Sequence, residues 1–160
     1  MDISRIPAGC EPMRWTIVFH RKAENWFFSL IAMGHFKHVS AFAWVPALRI
    51  WLVYDVGFRR TRLVPMGDSP ETRAYLMALI AGNALVSIDV CIDALPLMRL
   101  GLFCTTAIKH LIGLDAGALR PDALFHHCLK HGGVLSDDAI TADASYPGRS
   151  GARGRADPGS

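Results

Sequence analysis

The chain has 160 residues, 51% of them hydrophobic and 19% charged, with a formal net charge of +3. That length fits one domain with a real core. Basic residues are not clustered with aromatics on one element, so nucleic acid is not an expected partner. No window supplies the ~20 uninterrupted apolar residues of a spanning helix.

Met1 to Pro12 carries charges and prolines without an apolar signal core, so no secretory signal is expected. The four cysteines, Cys10, Cys91, Cys104 and Cys128, show no CxxC spacing. Neither a zinc knuckle nor a thioredoxin-like motif is implied, and reduced thiols in a bacterial-type cytoplasm are expected. We divide the chain into an N-terminal extension (1–13), one α+β domain (14–134) and a disordered tail (135–160). The tail is Gly, Ser, Ala, Asp and Arg with almost nothing to bury.

Trp15 to His20 is β-branched and aromatic and predicts a first strand. Trp26 to Met33 is apolar almost throughout, and periodicity does not choose between a short buried helix and a packed loop. Lys37 to Val45 and Leu48 to Val56 predict a hairpin turning at Pro46-Ala47. With a two-residue loop, His38 stands directly opposite Asp55. With a four-residue loop, Asp55 becomes a diagonal neighbour. The two share a face in both cases, because even-length loops preserve the alternation.

Thr61 to Met66 predicts a short third strand, with Pro65 marking an edge or an end. Asp68-Ser69-Pro70-Glu71 starts a helix running to about Ala81. Ala84 to Val90 is a further strand. Leu102 to Gly113 reads as a short helix with Cys104 in its first turn and Gly113 as its stop. A last helix starts at Leu119-Arg120-Pro121-Asp122 and ends at Gly132-Gly133.

Three groups of residues carry candidate chemistry. In the first, Cys104 sits where a helix dipole and unpaired N–H groups favour the thiolate. A thiol nucleophile needs a base and a group to orient that base, and His38 and Asp55 share one face of the hairpin. Taken singly, Cys104 reads as a buried structural thiol, His38 as a strand-end histidine and Asp55 as a turn carboxylate. Their joint pattern raises the functional reading, provided that the Cys104 helix packs on this sheet. His35 is a competing base on the approach loop, and His20 closes the first strand and could line the site.

The second group is His126, His127, Cys128 and His131. His127 and His131 are four apart on one helix face, but no further ligand accompanies them, so no metal is expected. The third is Arg59, Arg60 and Arg62, a basic turn that reads as a solvated hairpin face. The tail arginines Arg149, Arg153 and Arg155 form a weak electrostatic feature.

A histidine opening a strand hairpin, a polar residue on the next strand and a later cysteine at a helix N-terminus resemble the circularly permuted papain-like hydrolases. These are related to the NlpC-type cysteine peptidases. More narrowly, the chain resembles small phage- or prophage-encoded proteins with three blocks: Phe36-Lys37-His38-Val39 followed by Trp51 to Asp55, Cys104 to Gly113, and Arg120 to Leu124 ending at Gly132-Gly133. The resemblance implies Cys104 as nucleophile, His38 as base and Asp55 as the orienting residue. It implies a small antiparallel sheet with the cysteine helix on one face, and no cofactor. Relatives in this broad group include peptidases, amidases, lipid acyltransferases and inactive structural proteins. By analogy only, a peptide, peptidoglycan or a phage protein is the candidate substrate, in a bacterial cytoplasm or on a virion. Cys104 lacks glycine- or tryptophan-rich papain flanks, so substrate class does not transfer.

Overall fold

The computed structural model describes residues 12–22, 34–57, 60–90 and 103–135. The apolar stretch Trp26 to Met33, Cys10, Cys91, Arg59 and the tail from residue 136 lie outside these residues. Among them the chain forms an α+β fold with one six-stranded antiparallel sheet and three helices. The strands are β1 (Met13–His20), β2 (His38–Val45), β3 (Ile50–Val56), β4 (Thr61–Gly67), β5 (Ala84–Val90) and β6 (Val134–Leu135). The helices are α1 (Pro70–Ile80), α2 (Cys104–Leu111) and α3 (Pro121–Lys130). The sheet order is β4-β3-β2-β1-β5-β6.

Strand alternation divides the core into two layers. Trp15, Ile17 and Phe19 of β1 join Val39, Ala41 and Ala43 of β2 and Val86, Ile88 and Val90 of β5 on one face. There they meet Ile108 of α2, Ile112 at its C-cap, and Leu124 and Cys128 of α3. The opposite face carries Val18, Phe42, Trp51, Val53 and Leu85, covered by Leu76 of α1. The cysteine helix therefore does pack on the sheet, over β2 and β3. Ala41 and Ala43 lack bulk beneath it, and both are fully buried. Ile108 is also fully buried, so Ile108→Ala would cost about 2–5 kcal/mol.

The helix ends follow the sequence closely. Ser69 caps α1, its hydroxyl accepting the Thr72 N–H. Gly113 stops α2 in a left-handed conformation (φ 64°). The Leu114 N–H reaches the Lys109 carbonyl at 2.9 Å and the Gly113 N–H reaches that of His110 at 3.3 Å, the paired bonds of a Schellman end.

The hairpin differs from the two-residue expectation. Its loop is the four-residue turn 46–49, with Arg49 in the left-handed region (φ 52°), and Val45 pairs with Ile50. Ser40, not His38, consequently faces Asp55. Strand β6, a two-residue pairing with β5, carries no expectation in the sequence because it is too short for a periodic pattern.

Candidate functional site

The site forms where β2 begins. Entry into β2 is fixed from α3. The Asp122 carboxylate accepts the N–H groups of His35 (2.9 Å) and Phe36 (3.4 Å). Gly34 (φ 138°) makes this possible, since a Cβ there would run into the Asp122 side chain. Two residues after Phe36 the strand opens with His38.

His38 and Asp55 lie on the same face, one step apart along the ladder, and His38 Nε2 is 2.7 Å from Asp55 Oδ1. Both side chains are partly buried. His38 lies beyond the last β2–β3 pair, Ser40–Asp55, at the end of the sheet. A ring at that end can meet groups from either face. Cys104, at the first position of α2 on the opposite layer, forms a side-chain hydrogen bond with it there.

The contact shifts the proton affinities of all three groups. Burial opposes a charged His38, but hydrogen bonding with Asp55 and Cys104 outweighs it and carries the imidazole up to about 9. Burial also opposes a Cys104 thiolate. Hydrogen bonding and charge from His38, the Val39 N–H and Thr105 outweigh it and bring the thiol below its ordinary range. The His38 hydrogen bond holds the Asp55 carboxyl low against burial, helped by charge on His38, His20 and Arg62. All three shifts favour a thiolate–imidazolium–carboxylate array. With Nε2 committed to Asp55, Nδ1 is the ring nitrogen left for the sulfur.

The start of α2 adds to this. Phe103 is extended and supplies no side-chain cap. The first-turn N–H groups at Cys104 therefore carry the positive end of the helix dipole toward the thiol.

Beside His38 stands His20, the last residue of β1. The two rings stack with centroids 5.3 Å apart and planes at 29°. His20 Nε2 is 2.8 Å from Ser40 Oγ, and Nδ1 is 3.2 Å from Asn83 Nδ2. Burial, and then the charge on His38, hold the His20 pKa down to about 4. Continuing the β1–β2 register would have found this neighbour, because His20 and His38 are ladder partners. The same logic places Arg62 opposite Asp55. Arg60 is exposed.

The other candidates fall elsewhere. His35 is exposed, its ring edge-on to Phe36 at 5.1 Å. His127 and His131 lie face to face with centroids 6.3 Å apart, and His126 is edge-on to Phe125. Among the described residues no group of three or more His, Cys, Asp or Glu side chains could hold a metal ion. Cys128 is buried in the core, and burial raises its thiol to about 12. No described helix is long and apolar enough to cross a membrane.

No protein-family model, curated protein or solved structure matches the chain.

Proposed function

We propose that the chain is a cysteine hydrolase of the permuted papain-like type, acting on an amide bond. The observation that carries this reading is the convergence of Cys104, His38 and Asp55, with the thiol lowered and the imidazole raised. A buried structural cysteine does not need that pairing, as Cys128 illustrates.

In the proposed cycle the Cys104 thiolate attacks the carbonyl carbon. The first-turn N–H groups of α2 receive the developing oxyanion. The His38 imidazolium gives its proton to the departing amine, leaving a thioester on Cys104. Neutral His38 then takes a proton from water, the resulting hydroxide attacks the thioester, and the acid leaves as the thiolate and imidazolium return. Asp55 keeps the ring on the tautomer that turns Nδ1 to sulfur. A phage or prophage setting, with a peptide or peptidoglycan substrate, rests on the resemblance alone.

Acyl transfer by the same residues is a second reading, and one feature favours it. A mostly apolar cleft of about 320 Å³ lies beside α2, lined by Met13, Trp15, Leu52, Tyr54, Leu63, Ala107, His110 and Leu111. Cys104, Ala107 and Leu111 fall on one side of α2, at helical spacings of three and seven. A long acyl group on sulfur could extend into this apolar cleft.

Both readings pass through a thioester. Incubation with an activated acyl donor such as a p-nitroanilide or p-nitrophenyl ester, followed by intact-mass measurement, tests them. An acyl adduct mapped to Cys104 and absent from Cys104→Ala is expected. Release of nitroaniline from the anilide, or of nitrophenol from the ester, at equal rates from both proteins would contradict the assignment.

A further inference from the structure

We propose that His20 is a positioning residue of this site. Its neutral ring, tethered by Ser40 and Asn83, is the plate against which the His38 ring is set. The inference rests on Cys104 and His38 acting as a pair.

The hydrogen bonds assign the tautomer of His20. The Asn83 amide is oriented by its own partners: Nδ2 donates to the Leu79 carbonyl (2.9 Å), and Oδ1 accepts the Arg21 N–H (3.3 Å). The nitrogen it turns toward His20 is therefore a donor, so His20 Nδ1 is the acceptor. A neutral ring then carries its proton on Nε2, which donates to Ser40 Oγ. Both edges of the ring are held.

This fixed ring has a defined use. His38 has a freely turning ring torsion in principle, and rotation would carry Nε2 off Asp55 and Nδ1 off sulfur. The His20 ring, parallel within 29° on one flank, restricts that rotation. The titratable groups acting on His20 are His38 and Asp55. Protonating His20 would break the Asn83 bond and set a second cation against the His38 imidazolium. The tether also reaches into the α1–β5 junction, because Asn83 follows α1 and precedes β5.

Two measurements test the proposal on the full chain. Long-range ¹H–¹⁵N NMR should find His20 as the Nε2–H tautomer, still neutral at pH 5.5 to 6. Iodoacetamide alkylation of Cys104 at pH 6, read by peptide mass spectrometry, should fall about tenfold in His20→Ala and by a smaller factor in Asn83→Leu, which keeps the ring and its Ser40 bond. His20→Phe, which retains an aromatic plate but neither tether, should fall between wild type and His20→Ala. Circular dichroism identifies any variant that fails to fold, and Asn83→Leu leaves the ring itself in place. A folded His20→Ala protein with the wild-type alkylation profile would overturn the role, as would a His20 ring titrating near 6.5. An ordinary thiol profile in the wild type would instead overturn the Cys104–His38 pair itself, before any His20 variant is considered.

Discussion

Asp55 faces Ser40 across the β2–β3 ladder, yet its carboxylate bonds to His38, one step along the same face, at 2.7 Å. That diagonal lets one carboxylate orient a ring standing past the end of the pairing. Asp55→Asn keeps an acceptor but removes the charge that favours imidazolium. Cys104 alkylation at pH 6 is expected to fall by about tenfold, and by more in His38→Ala. Rates from the two variants, compared with wild type under one set of conditions, check the order.

The same pair makes stability depend on pH, with a definite sign. His38 has its pKa raised from 6.5 to about 9, so its contribution is complete below 6.5 and is lost as pH climbs through about 9. Asp55 has its pKa lowered from 3.8, so its contribution is present above 3.8 and is lost as pH falls through its folded value. The pair is therefore fully stabilising between about 4 and 6.5. The Tm gap between wild type and Asp55→Asn should be widest there and close as pH rises through about 9. His20 acts in the other direction: its pKa near 4 means that stability is lost as pH falls from 6.5 toward 4. His20→Phe should lose this acid sensitivity.

Asp122 holds the loop that leads into His38, and its removal tests how far the site depends on α3. Asp122→Ala leaves the N–H groups of His35 and Phe36 without their carboxylate. A loss of about 1–2 kcal/mol is expected, seen as a fall of several degrees in Tm. Gly34→Ala should destabilise by more than Gly82→Ala. Both have positive φ, but only at Gly34 would the new Cβ strike a neighbour.

The cleft beside α2 separates hydrolysis of short acyl groups from transfer of long ones. Leu63 borders the cleft and is 58% exposed on edge strand β4. Leu63→Lys therefore changes the cleft rim with little expected effect on folding. If long acyl groups lie in the cleft, acylation of Cys104 by a long-chain thioester falls several-fold while acetylation is unchanged. Equal effects on both donors would remove the cleft from the reaction.

Much of this arrangement was legible in the sequence, for local reasons. β1 to β5 and the three helices carry β-branched, alternation, helix-start or helix-stop signals, and the shared face of His38 and Asp55 follows from alternation once the hairpin loop has an even length. The register did not. Pro46-Ala47 looks like a two-residue turn, but Arg49 adopts a left-handed conformation that its side chain does not announce, and the loop takes four residues. The approach of Cys104 to His38 was an assumption in the sequence. It depends on Ala41 and Ala43 admitting α2 and on the β2–β3 ladder ending at Ser40–Asp55. The surroundings of His20 are not legible locally, because they come from ladder pairing with His38 and from Asn83, distant in sequence.

The measurement that bears most directly on the site is the pH dependence of Cys104 alkylation, read on its own peptide. The buried Cys128, its thiol raised to about 12, should stay unlabelled in the native protein and serves as an internal control. In the wild type the Cys104 midpoint should lie below the ordinary value of 9.0, and His38→Ala should move it back up. A midpoint at the ordinary value, unchanged in a folded His38→Ala protein, would contradict the thiolate–imidazolium pair and the hydrolase reading built on it.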